Sequence, residues 1–248
     1  MDKTYYHEYY KLEREHWWFV VRGRILLEHI LPYTKAPDLS ILNVGAATGR
    51  TSELLSDLGE VTSIEYDDDC RNFANALTGL GIKKGTILDL EFEDNSFHLS
   101  CAFDVIEHVE NDKKAVAELV RVTKTNGLIF ITVPAFQFLW SEHDIVNHHF
   151  RRYTWSKLKQ ILPSEEISLV HKTYFNSLLF FPIAIFRVLS RLVPARFYRK
   201  GSGADNTLVA NDSFVNKLMF RVFETERKLL RKVKFPFGVS LMVILRKK

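Results

Sequence analysis

Two groups of residues in this chain have types and spacings suited to chemistry. The first is Ile41 to Gly49, a short apolar run that breaks into a turn bounded by Gly45 and Gly49, followed by Glu65 at the close of the next apolar run. Backbone N–H groups in such a turn can approach a ligand, and an acidic side chain about 20 positions further on can accept hydrogen bonds from a ribose. The pairing points to a nucleoside cofactor. It is not the dinucleotide fingerprint G-x-G-x-x-G/A, because position 47 is Ala and position 50 is Arg.

The second group is His143, Asp144, His148 and His149, followed by Arg151, Arg152 and Tyr153. A histidine titrates near neutral pH, so His149, His143 and, further upstream, His108 are candidates to take a proton from a reacting group. Two histidines and a carboxylate can also form a metal triad. The adjacent arginine pair disfavours a cation there, and no cysteine assists, so no metal is expected. The arginines suit bidentate capture of an anionic substrate group, with Asp144 and Tyr153 beside it. The alternative for them is an ion pair with Glu142 or Asp144.

Strands and helices alternate through the region that must position these groups. Strands are expected at 40–45, 60–65, 85–89, 98–104 and 127–133. Helices are expected from Thr51 to near Gly59, over 68–78 behind Asp67 to Asp69, and over 112–123. This alternation implies a parallel sheet covered on both faces, with its ligand crevice at the carboxyl ends of the strands. Gly45, Glu65, Asp89 and Asp104 are expected at such ends. A long connection over 134–153 then leads to a helix at 154–162, a strand at 166–174 and a last buried strand from Val239 to Leu245.

Bulk composition bounds the rest. A chain of 248 residues with 46% apolar residues suits one α/β domain with an elaboration. Cys70 and Cys101 form no disulfide framework, and Met1 to Arg14 has no apolar signal stretch, so a cytoplasmic protein is expected. Charge is uneven: residues 1–170 carry 18 Lys and Arg against 26 Asp and Glu, whereas residues 171–248 carry 16 against 4. That basic excess coincides with the apolar stretch Leu178 to Val193, with Arg187, Arg191, Arg196 and Arg199 spaced among apolar residues. The stretch is too short to span a bilayer, but it suits a helix lying on an anionic membrane surface, here the inner face. Nucleic acid is disfavoured as a partner because the apolar face is aliphatic.

Several motifs in order carry a resemblance. Ile41-Leu42-Asn43-Val44-Gly45-Ala46-Ala47-Thr48-Gly49, Asp89 to Phe97, Ala102-Phe103-Asp104-Val105-Ile106-Glu107-His108-Val109 and Glu118 to Gly127 resemble segments of the class I S-adenosylmethionine (SAM) methyltransferases of types 11 and 12. So do Thr132 to Ala135, Trp140 to Asp144 and His149 to Thr154, and His16 to Phe19 with Arg22 and Arg24 upstream. The resemblance implies a Rossmann-like α/β fold: a mostly parallel seven-stranded sheet, helices on both faces and a helical insertion before the last strand. It implies SAM as cofactor and S-adenosylhomocysteine (SAH) as product. Gly45, Ala46, Ala47 and Gly49 would meet the methionine part of SAM, and Glu65 and Tyr66 the ribose side. Leu88 and Asp89 would border the adenine, with Phe103, Asp104, Trp17 and Arg22 at the methionine end. The sequence departs from the family at Asn43, Ala46, Ala47 and Asn126. The extra methyl of Ala47 is tolerable where its φ is negative, and Asn126 suits a left-handed backbone.

The expected organisation is a helical cap at 1–35, a SAM-binding core at 36–174 and 237–248, and a basic helical insertion at 175–236. The expected function is methyl transfer to a small-molecule or lipid- or sugar-linked acceptor. Two alternatives remain at this stage: SAM binding without transfer, and a membrane-surface module on the same fold.

Overall fold

In the computed structural model, which describes residues 5–34, 38–190 and 213–248, seven strands form one sheet. They are β1 (Ser40–Val44), β2 (Glu60–Glu65), β3 (Lys83–Lys84), β4 (Phe97–Phe103), β5 (Thr123–Pro134), β6 (Ile167–Phe175) and β7 (Ser240–Lys247), in the order β3-β2-β1-β4-β5-β7-β6. All neighbours from β3 to β5 are parallel. β7 lies between β5 and β6 and runs antiparallel to both.

Side chains on successive strand residues point to opposite faces, and both faces of this sheet are apolar. Ala102, Ile129, Ile131 and Val243 pack on one side with Val116, Leu119 and Val120 of α5 (Asp112–Val122) and Leu158 of α7 (Trp155–Ile161). Their sequence neighbours Cys101, Phe130, Met242 and Ile244 face the other way. They meet Val21 and Ile25 of α2 (Trp17–Ile30) and Phe223 and Leu230 of α9 (Phe214–Leu230). The doubly covered sheet expected from the sequence is therefore present.

The remaining helices are α1 (Tyr5–Glu15), α3 (Arg50–Leu55), α4 (Asp68–Thr78), α6 (Glu142–Val146) and α8 (Phe180–Ser190). Asp67 caps α4 by accepting from the Cys70 N–H at 3.0 Å, as the acidic run before it implies. The helix expected to reach Gly59 stops at Leu55, and the strand expected at 85–89 is displaced to the two residues of β3. Asp89 lies instead on a turn bridged to Thr86. Cys70 and Cys101 are free and buried. Of the basic insertion, α8 and α9 are described, whereas Arg191, Arg196 and Arg199 lie outside the described residues. Arg187 points inward, 6% exposed, and donates to the Leu139 carbonyl at 3.0 Å, so it is not one of the outward arginines expected beside the apolar stretch.

Candidate active site

Strand order reverses beside β1, so the ends of β1, β2 and β4 leave a crevice between diverging connections. A cavity of about 1420 Å³ occupies it and continues over β5 to α8 and α9. A single drug-sized ligand fills about 300–1,000 Å³, so there is room for two molecules.

The end nearest β1 and β2 is built from backbone. Gly45 has φ +70°, and a Cβ there would lie 2.7 Å from Val105 Cγ2, so only glycine fits. Ala47 has φ +47°, so the condition of a negative φ for its methyl is not met, and its N–H closes the turn by donating to Glu65 Oε2 at 2.9 Å. The second oxygen, Glu65 Oε1, accepts from the Asp67 N–H at 3.0 Å. The Gly45 and Ala46 N–H groups share the Ile64 carbonyl, and the Gly49 N–H bonds to the Ala46 carbonyl. These amides are therefore engaged within the protein, and the turn presents close backbone at Gly45 and Ala47 in place of the open donors expected. Asn126 does adopt a left-handed backbone, φ +64°.

Among the expected cofactor residues, Gly45, Ala47, Glu65, Tyr66, Leu88, Phe103, Asp104, Trp17 and Arg22 line the cavity. Ala46 is fully buried against Ala74 and Ile82, Gly49 starts α3, and Asp89 is exposed beyond the cavity, so these three do not line it. Arg22 is not an open clamp. Its Nη2 donates to Asp104 Oδ2 at 2.5 Å, and Thr132 Oγ1 bonds both partners. The Trp17 ring packs edge-on against Phe223, with its Nε1 buried and unpartnered at the cavity wall.

A further acid here escaped the sequence reading. Glu13 on α1 is buried at the cavity edge, accepts from the Thr48 hydroxyl, and is pushed up by burial to about 7. Nothing in its local sequence marks it, because the contact depends on α1 folding back over the turn.

The opposite end is built from side chains on the connection 134–153. His108, His143 and His149 all line the cavity, with ring centroids 4.6 Å apart for His108 and His149 and 5.9 Å for His143 and His149. Asp144 is wholly buried and serves as the anchor. Its Oδ1 takes His149 Nδ1 and Arg152 Nε, its Oδ2 takes Arg152 Nη2, each at 2.8 Å, and Oδ2 also caps α6 at the Ser141 N–H. Burial alone would raise this carboxyl, but the bonds from His149 and the Arg152 charge hold it below the usual carboxylate range. With Nδ1 of His149 committed to a carboxylate as donor, Nε2 is left as an acceptor.

The anion-gripping role expected for the arginines is corrected by these pairings. Arg152 is held by Asp144, and Arg151 Nη1 donates to Asp112 Oδ2 at 2.7 Å. Tyr153 is 2% exposed and donates to the same Asp112 oxygen at 2.8 Å. Asp144, Arg151 and Tyr153 do not line the cavity, although Arg152 does. His108 is lowered to about 4 by burial and by the neighbouring His149, so it is a neutral imidazole at physiological pH. Glu107, quoted in a motif but not singled out as a site residue, is wholly buried at the cavity, and neither carboxylate oxygen has a hydrogen-bond partner. Burial and the Asp104 charge raise it well above the usual range.

Comparison with known proteins gives matches at the levels of family, sequence and fold. A family described as "Methyltransferase domain" matches residues 42–131. An uncharacterized methyltransferase of Staphylococcus carnosus is 23% identical over 141 residues, covering 56% of this chain and 65% of the relative. A probable S-adenosylmethionine-dependent methyltransferase of Mycobacterium tuberculosis is 24% identical over 125 residues, covering 50% of this chain and 44% of the relative. The matches thus span less than two thirds of the length of these curated relatives. The structure of a SAM-dependent methyltransferase from Archaeoglobus fulgidus superposes with a TM-score of 0.58 at 18% identity, covering 98% of this chain and 100% of that one, a likeness of fold.

Proposed function

We propose that this chain, whose residues 42–131 match a methyltransferase domain, is a class I SAM-dependent methyltransferase of type 11 that uses SAM as cofactor and transfers its methyl group to an oxygen of an acceptor held beside His108, His143 and His149. The observation that carries this reading is the continuity of one cavity from Glu65 to the three histidines, with volume for cofactor and acceptor together.

The residues fit the cofactor. Gly45 leaves no room for a side chain beside Val105, which keeps the backbone open to close approach. The Glu65 carboxylate spends two bonds on the turn and has acceptor capacity left for ribose hydroxyls. Asp104, Arg22 and the unpartnered Trp17 Nε1 provide polar groups for the amino-acid end, and Leu88 an apolar edge for the base. When bound, SAM supplies a methyl group on a positively charged sulfur, already a strong electrophile.

The protein's tasks are then to align the acceptor, exclude water and receive a proton. α1, α2 and α8 wall the cavity over the sheet ends, and an imidazole of the histidine cluster takes the proton that an acceptor hydroxyl loses. Calorimetric titration with SAH and transfer of a labelled methyl group test the reading. Glu65→Ala should weaken SAH binding by about 1.5–3 kcal/mol in a folded protein, because a charged acceptor is lost. His149→Ala should slow turnover about 100-fold or more with SAH affinity unchanged. Unaltered affinity in the first variant, or unaltered rate in the second, contradicts the assigned roles.

A second reading, that the acceptor is lipid-linked and taken from an anionic membrane surface, is favoured by the outer face of α8 and α9. Phe181 and Ile185 are 61% and 59% exposed, and Phe214 is 78% exposed. Phe186, 49% exposed, also lines the cavity. No described helix is long and apolar enough to cross a membrane. Co-sedimentation with anionic but not neutral vesicles, lost in Phe181→Ser, is the expected result. Equal behaviour with both vesicle types removes it.

A further inference from the structure

Glu107, His108 and His149 form a cluster that the proposed methyl transfer does not by itself require in this form. We infer that these three residues bind a divalent transition-metal ion at the acceptor end of the cavity.

The geometry favours this at three levels. One ligating atom from each residue lies within 4.8 Å of the other two, across the ends of two chain segments that come together only in the fold. Two imidazole nitrogens and a carboxylate oxygen form the donor set of a facial triad, suited to Zn²⁺, Mn²⁺, Fe²⁺ or Co²⁺ more than to Mg²⁺ or Ca²⁺. Ligand atoms around one ion sit about 2.0–2.2 Å from it, so side-chain rotations must draw the three groups closer around the ion.

The second level is the orphaned carboxylate. Glu107 is wholly buried with neither oxygen bonded, a state that costs several kcal/mol unless a proton or a cation answers it. The third is the support behind the ligands. Asp144 accepts from His149 Nδ1 and turns Nε2 toward the cavity, the carboxylate–histidine arrangement that fixes ring orientation at metal sites.

The arginine pair that counted against a cation in the sequence is neutralised in the fold. Arg152 is paired with Asp144, and Arg151 with Asp112. Asp144 and His148, weighed as ligands from the sequence, are not part of this cluster. An ion here leaves its open positions toward the acceptor, where it makes an acceptor hydroxyl more acidic. The proton passes to His143 on the same wall, the oxygen forms the new bond to the methyl carbon, and the sulfur–methyl bond breaks to leave SAH.

This inference rests on the proposed function only for its role in catalysis, so its test begins with the ion alone. The full chain, free of any histidine tag and stripped with chelator, is titrated with Co²⁺ in the absence of SAM. The expected result is one ion per chain, visible d–d absorption without a thiolate band, and displacement by Zn²⁺. Glu107→Gln and His108→Ala should each weaken binding at least about 10-fold. Because Glu107 is buried, His108→Ala on the open side of the cluster decides the matter if Glu107→Gln does not fold. The absence of stoichiometric binding, or binding unchanged in a folded variant, overturns the site. SAH titration of the stripped protein separates the two readings. SAH binding without ion binding sinks the metal site alone, whereas ion binding without SAH binding sinks the transferase reading and leaves the site standing.

Discussion

The two ends of the cavity are made in different ways. The cofactor end is assembled from backbone within short stretches of chain: a turn after β1, closed by a carboxylate at the end of β2. The proposed acceptor end is assembled from side chains, of which those on the connection 134–153 are tied to one buried carboxylate, Asp144. Backbone geometry tolerates many side chains around it and suits a ligand that never changes. A side-chain network can be rebuilt by substitution and suits a ligand that differs from one relative to the next, at the cost of burying charge that must stay paired.

The contrast breaks most sharply at Arg152. Arg152→Ala leaves Asp144 buried with an uncompensated charge and should destabilise the protein by about 3–5 kcal/mol, read as a fall in urea midpoint. SAH affinity of the remaining folded fraction should be unchanged, because the turn at Gly45 shares no bond with this network. A matching loss of SAH affinity would mean that the two ends are one unit.

Glu13 sharpens the comparison from the cofactor end. Its pKa rises from the ordinary 4.5 to about 7 on folding, so the neutral form is the one the fold accommodates. The stability it contributes is fully present below 4.5 and is lost as pH rises through about 7. Glu13→Gln should therefore gain on the parent by about 3 kcal/mol between about pH 4 and pH 8, seen as melting curves that diverge with rising pH. Parallel curves would show that burial does not disfavour its charge.

The smallest effect is expected at Ala47. A left-handed L-residue costs about 1–2 kcal/mol, and glycine returns part of that as a more flexible unfolded chain. Ala47→Gly should stabilise the protein by about 0.5–1 kcal/mol and leave SAH affinity the same or slightly tighter. Destabilisation would mean that the methyl group packs usefully in the turn.

The same contrast explains what the sequence made legible. The strands at 40–44 and 60–65, and the helices at 68–78 and 112–122, follow from local periodicity, caps and glycine stops, and each appears within a residue or two of its expected span. Glu65 and Gly45 were legible because their spacing along the chain is itself the geometry. The sign of φ at Ala47 was left open by the sequence, because turn closure, not residue preference, sets it. Arg151, Arg152 and Tyr153 were placed as substrate contacts because the sequence does not reveal that Asp112, some forty positions upstream, pairs two of them. Glu107 stood in a quoted motif, but its burial is a tertiary feature, and its carbonyl accepts from the distant Phe150 N–H at 2.7 Å. Long-range pairing is what periodicity does not carry.

The position of β7 has a consequence for how the molecule comes to exist. It sits between β5 and β6, yet in chain order it follows every other strand of the sheet. During synthesis, β5 and β6 therefore wait as bare edges, each with unpaired backbone groups that invite a neighbouring chain. Local helices can form early, but the sheet closes only after residues 240–247 have emerged and found two partners far behind them in sequence. A chain stalled before that point is a sticky half-sheet, so the yield of folded protein in a cell should depend on how soon residues 240–247 follow β6 off the ribosome and on chaperones that shield those two edges.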